Sequence, residues 1–277
     1  MFSMQSSNPA LNNQEAFNPY AYSDERPVVQ QRANVTTLSG VVNKTALLVL
    51  IAIAAGAVGY SLLLRFPNIL WVSAIASFVI VLGFGFLVCR KPKAAAVVGP
   101  IYAVVEGLFL GAVTALADNI LAAQGLEVLG GVGAQAFIIT MASVGSMLGL
   151  YKAGIIRPTE RFKAVIFTLT GAIMLTYLVS FVLSFFWQPL PLISFWAAAT
   201  ETGSMAFLGL GINLFILVIA SLFLVIDFGE VEQHINAGSP KYMEWYLGFA
   251  LLITLAWIYF EAVKLVIRLA LIFGNRD

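Results

Sequence analysis

The chain has 277 residues, 60% of them hydrophobic and only 10% charged, with a net charge of +1 and a mean hydropathy of +0.92. A soluble domain keeps about a quarter of its residues charged, so this surface is not built for water on all sides, and the near-zero net charge argues against nucleic acid or any strongly charged partner. The single cysteine, Cys89, excludes an internal disulfide and reads as an apolar filler at a helix end.

Residues 1–45 are polar, rich in Asn, Gln and Ser, and lack the apolar core of a cleavable signal peptide. Such a segment has too little apolar surface to offset its ordering entropy, so it reads as a disordered tail ahead of a transmembrane domain over 46–277. A bilayer-crossing helix needs about 20 mostly apolar residues. Seven runs meet that need, at about 46–64, 69–89, 94–117, 134–151, 164–187, 208–228 and 246–271, and the short apolar stretch 192–207 reads as a lead-in or interfacial segment. None shows the alternation of a membrane-spanning strand, so the fold class is an all-α integral membrane protein, a seven-helix bundle in contact with lipid.

Lys and Arg divide unevenly between the loops. Arg90, Lys91, Lys93, Lys152, Arg157, Arg161, Lys163 and Lys241 fall on one side, eight against Arg65 alone on the other. The positive-inside rule then places the tail in the cytoplasm, and seven crossings place Asp277 outside. Small residues recur at four-residue spacing, Gly107 with Gly111 and Gly145 with Gly149, a pattern that lets helix backbones approach closely. Pro100 lies one turn into the third span, where a missing N–H costs little.

An ionised side chain in hydrocarbon costs several kcal/mol and is kept where it has a use. Five stand within the spans: Glu106, Asp227, Glu261, Lys264 and Arg268. Glu106 lies near the middle of the third span and Asp227 at the cytoplasmic end of the sixth. In the seventh, WYLGFALLITLAWIYFEAVKLVIRLALIFG, Glu261, Lys264 and Arg268 are three and four residues apart and share a face. That face must meet protein or water. The plain structural reading is a Glu261–Lys264 ion pair with Arg268 snorkelling to the outer interface; for Asp227 it is a wet interfacial position. Glu261 has no such exit, because the span runs on for about ten residues. His234, the one histidine, falls in the loop 229–245, which excludes histidine metal clusters and haem ligation and argues against catalysis. No cofactor is expected.

The last third of the chain carries a pattern of its own. LVIDFGEVEQHINAGSPKYMEWY, then IYFEAVKLVIRLALIFG, together with CRKPKAAAVVGPIYAVVEGLFLG around the second and third spans, resembles the transmembrane Bax-inhibitor-motif family in its bacterial branch. The resemblance implies a seven-helix bundle around a central seventh helix, in a bacterial inner membrane. Its better-understood members are similar to pH-sensitive calcium leak channels. In them an acid near the end of the sixth helix and one in the seventh share a proton and close the pore, with an arginine after the second helix as a latch. The acids match Asp227 and Glu261, which would also be the calcium ligands, and the latch matches Arg90. The chain differs in carrying Glu for Asp at 261, in adding Lys264, and in placing Glu106 in the third span. Two carboxylates held close cannot both ionise cheaply and titrate as a unit, so the expected mechanism is a shared proton pinning the sixth helix to the seventh. Two rival readings are a scaffold restraining another membrane protein, such as an inner-membrane protease, and a proton-coupled carrier using Glu106.

Overall fold

The structure, a computed structural model, describes residues 34–186 and 190–274, without the side chains of Leu82, Phe84, Phe86, Cys89 and Phe185. The chain divides into two compact units at Val35/Thr36, and every described helix belongs to the second. In order these are α1 (Leu38–Leu63), α2 (Ile69–Arg90), α3 (Ala95–Ala122), α4 (Gly131–Lys152), α5 (Glu160–Phe186), the short α6 (Phe195–Thr200), α7 (Gly203–Asn236) and α8 (Met243–Phe273), with a 3₁₀ turn at Pro92–Ala94 before α3.

Six of the helices, all but α2 and α6, are long and apolar enough to cross a membrane. In α2 the described apolar run is Ile69–Val81. Where the sequence reading expects seven crossings, six helices have the length and hydropathy that a crossing needs. The protein is a multi-pass, lipid-contacting helical bundle, and its outer helices present apolar side chains outward, among them Leu50, Ile53, Val72, Ile138, Leu175 and Phe215.

Several boundaries move. The tail expected to run to 45 ends earlier, because the Thr37 hydroxyl accepts the Gly40 N–H at 3.0 Å and caps a helix that starts at Leu38. Asn43, Lys44 and Thr45 lower the hydropathy there without interrupting the helix. Residues 1–33 and 275–277, with the remainder of the expected tail and the C-terminal Arg276 and Asp277, lie outside the described residues. At the other end of the chain α7 continues to Asn236, so His234 stands in a helix and the loop expected over 229–245 shrinks to 237–242. Glu230 and Glu232 lower the hydropathy of that stretch, but both are partnered: Lys163 holds Glu230 at 3.0 Å and the Tyr151 hydroxyl donates to Glu232. The lead-in at 192–207 becomes α6, whose Ala197, Ala198 and Ala199 are buried rather than interfacial.

Close packing concentrates between α1 and α3. A Cβ on Gly107 or Gly111 would collide with the backbone carbonyl of Ala52 or Gly56, and one on Gly59 with that of Leu108. The glycine pair of the third span thus works as its spacing suggests. Gly145 and Gly149 do not: a Cβ on either would meet nothing within 4 Å, and both are exposed on the outer side of α4.

The last helix is the hub. α8 packs against α1, α3, α4, α6 and α7, and 61% of its apolar window is buried, against 11% for α5. The main apolar clusters all draw on it, through Val263, Val266 and Ile267 at one level and Phe249 and Leu252 at another.

Candidate functional site

The polar residues of α8 form one column through the bundle. Thr254, Glu261 and Arg268 recur every seven residues, two turns or about 10.5 Å apart, so they lie on one stripe about 21 Å long. Lys264 stands between the last two, and all four are buried: Thr254 4%, Glu261 0%, Lys264 2% and Arg268 2% exposed.

Each rung meets a different element. At the start of α8, Glu244 receives the Thr37 N–H and hydroxyl at 3.2 and 3.0 Å, joining it to α1. At the next rung the Thr254 hydroxyl donates to Asp227 Oδ2 of α7 at 2.7 Å. Higher up, Glu261 Oε2 accepts from Asn213 Nδ2 of α7 at 2.8 Å and pairs with Lys264 Nζ at 2.9 Å, while the Tyr177 hydroxyl of α5 donates to Oε1. Lys264 Nζ also donates to Tyr177 Oη at 2.8 Å and to the Ile193 carbonyl at 3.2 Å. At the last rung Arg268 Nη1 bonds Glu201 Oε2 and Nη2 bonds the Leu192 carbonyl, both at 2.8 Å. Glu201 Oε1 in turn accepts the Leu192 N–H at 2.6 Å. Leu192 has φ 67°, a left-handed conformation that costs a non-glycine residue about 1–3 kcal/mol unless its surroundings fix it.

Three expectations are corrected here. The structure does not bring Asp227 and Glu261 together: Asp227 bonds Thr254, which lies two turns before Glu261 on α8, and Glu261 bonds Lys264, Asn213 and Tyr177 instead. Asp227 is neither wet nor at a helix end, being 9% exposed with nine residues of α7 beyond it. Arg268 does not snorkel. It turns inward to Glu201, through space left by Gly209 of α7, where any Cβ would strike the guanidinium. The Glu261–Lys264 pair forms as its spacing suggests, but with partners from two more elements.

The other expected residues lie elsewhere. Arg90 closes α2, exposed, at the end of the bundle where Lys93 sits over the Tyr242 ring and Lys44 over the Trp245 ring, at 5.4 and 4.6 Å. Glu106 is 8% exposed and takes a hydrogen bond from the Ser77 hydroxyl of α2. It borders a lateral cavity of about 670 Å³ between α1, α3, α4 and α8, with Tyr60, Thr114, Asp118, Thr140 and Tyr259 as the other polar lining. There Thr114 and Tyr259 share a hydrogen bond of 2.9 Å, and Asp118 takes the Tyr60 hydroxyl at 3.1 Å and the Val132 N–H at 2.9 Å. Glu106 therefore belongs to a separate site from the α8 column.

Sequence reasoning missed Asn213, Thr254, Tyr177 and Glu201. The first was findable, as an amide within an apolar span. Thr254 carries a weaker signal, its seven-residue spacing before Glu261. Tyr177 and Glu201 carry none, since only the packing of α5 and the approach of the 190–202 segment bring them to α8.

A family model described as Bax inhibitor 1 like matches residues 8–270. No curated protein and no solved structure matches the chain.

Proposed function

Because the chain belongs to the Bax inhibitor 1 like family, and because a buried polar column runs the length of its central helix, we propose that it is a pH-sensitive cation leak, with calcium as permeant, rather than an enzyme or a scaffold. The column carries the reading. Hydrocarbon-depth charges are expensive, and here acids from α7 and α8 are stacked at successive levels about 10.5 Å apart with oxygen-bearing neighbours. A path for a hard cation needs such a series of oxygen ligands.

On this reading Asp227 is the titrating gate. The hydrogen bond it takes comes from a neutral hydroxyl, whereas Glu261 has the Lys264 ammonium against it. A proton on Asp227 keeps that rung neutral and α7 seated on α8 through Thr254. Loss of the proton leaves an anion without a countercharge at that rung, loosens the seam and draws a cation in. The sign follows: flux rises as pH rises, because the deprotonated form conducts. The basic end, with Arg90, Lys93 and Lys163, faces the cytoplasm of a bacterial inner membrane, with the N-terminus inside and the C-terminus outside.

Calcium-dye flux in proteoliposomes between about pH 6 and 8 tests the proposal. The wild type should leak more at the alkaline end, and Asp227→Asn, fixed in the neutral state, should stay low at every pH. If the variant keeps the pH dependence of the wild type, Asp227 is not the gate. If no vesicle leaks at any pH while the purified protein retains a membrane-protein partner through the basic segment 152–163, the scaffold reading replaces it.

A further inference from the structure

We infer that the oxygen cage at Glu261 is a small-cation site whose resident cation is the protein's own Lys264 ammonium, tethered there in place of a free ion. The inference rests on the conduction reading above and adds what keeps the column shut.

The cage is more than an ion pair. An ammonium has three N–H bonds, and Lys264 Nζ has three oxygen neighbours: Glu261 Oε2 at 2.9 Å, Tyr177 Oη at 2.8 Å and the Ile193 carbonyl at 3.2 Å. The rings of Tyr177 and Phe260 complete the enclosure, with centroids at 4.7 and 5.2 Å. A carboxylate and a backbone carbonyl are ligand types of hard cations, and the phenol adds a third oxygen. The Tyr177 hydroxyl directs its hydrogen at Glu261 Oε1, which leaves its lone pairs for the ammonium. Three elements, α8, α5 and the 190–194 turn, thus aim oxygen at one point. A Glu–Lys pair one turn apart on a helix needs neither of the other two.

Asn213 supplies an independent sign. Its Nδ2 rests on the same Glu261 oxygen that holds Lys264, and also on the Glu261 carbonyl at 3.2 Å. Its Oδ1 is buried with no hydrogen-bond partner among the described residues, a cost normally avoided. Turning the carboxamide over would bring that oxygen toward the two Glu261 oxygens, which is unfavourable unless a cation stands between them. The cage therefore holds a fourth oxygen in reserve for a free ion, one that the tethered ammonium does not use.

Cutting the tether tests this. In proteoliposomes Lys264→Ala should raise cation flux about ten-fold or more over wild type, since one fixed positive charge no longer repels the permeant ion. Added propylammonium, the severed part of the side chain, should suppress that flux without affecting wild type, and 1-propanol, of similar length and uncharged, should not. Lys264→Gln, neutral and close in size, should show the same rise, and it carries the test if the alanine variant does not purify folded. A neutral variant that leaks no more than wild type, or an alanine variant indifferent to propylammonium, overturns the tether. The two proposals fail separately. If wild type leaks with the expected pH dependence and Asp227→Asn abolishes it, while Lys264→Gln changes nothing, only the tether is lost; if wild type and all variants are tight, the conduction reading falls with it.

Discussion

Glu201 should be the residue whose loss most damages the C-terminal end of α8. Its carboxylate is divided between two partners, Arg268 Nη1 at 2.8 Å and the Leu192 N–H at 2.6 Å. Glu201→Ala strands a guanidinium that is 2% exposed and whose Nε already lacks a hydrogen-bond partner among the described residues, leaving it there only the Leu192 carbonyl. Truncating one member of a buried pair costs about 3–5 kcal/mol. The orphaned Leu192 amide adds about 1–3 kcal/mol, offset in part if Leu192 relaxes from its left-handed conformation, which releases about 1–3 kcal/mol. The net expectation is a loss of about 3–5 kcal/mol. Unfolding in detergent micelles by graded sodium dodecyl sulfate, followed by tryptophan fluorescence, reads it directly. The double variant Glu201→Leu with Arg268→Met removes both charges and should lose less than Glu201→Ala alone, because no unpaired ion remains buried. A double loss equal to the sum of the singles, or a Glu201→Ala loss below about 1 kcal/mol, would refute the argument that this contact is a buried, mutually dependent pair.

The glycine pairs separate by the same measurement. Gly111→Leu should cost at least about 2–3 kcal/mol, because its side chain meets the Gly56 backbone, whereas Gly149→Leu, facing open space, should be neutral or stabilising by up to about 1 kcal/mol from helix propensity. At the start of α1, Thr37→Val removes both the cap on Gly40 and the hydroxyl bond to Glu244, for about 1–2 kcal/mol. Amide hydrogen exchange should show it locally, as faster exchange over residues 38–41.

The helices were legible because hydrocarbon imposes a simple rule: long apolar runs must close their backbone bonds internally, which only a helix does within one segment. Helix ends were less legible for the same reason. Capping at Thr37 and the partners of Glu230 and Glu232 keep helices going where hydropathy falls, so the span starting at 46 became a helix from Leu38, and the loop at 229–245 became mostly helix, the end of α7 and the start of α8. The glycine spacing was right at Gly107 and Gly111 and wrong at Gly145 and Gly149, since spacing places small residues on one face without saying what faces them. The charges behaved likewise. Their presence in the spans and the Glu261–Lys264 pair follow from one-dimensional spacing on a single helix. The company they keep depends on how separate helices dock, which periodicity does not encode: Asp227 found Thr254 rather than Glu261, and Arg268 found Glu201 rather than the interface.

The stripe that makes α8 central also makes it a poor candidate for entering the membrane unaided. Glu261, Lys264 and Arg268 occupy seven positions or so of axial rise, about 10.5 Å of a helix, and each charge near a helix centre adds roughly 2.5–3.5 kcal/mol against partition from the translocon. Their partners outside α8, the hydrogen-bonding Tyr177 and Asn213 and the counter-ion Glu201, are all encoded upstream. Biosynthesis thus has an order built into it: the earlier segments must be inserted and waiting before the final one can leave the translocation channel, and a chain from which α5 and α7 were deleted would have no docking place to offer it.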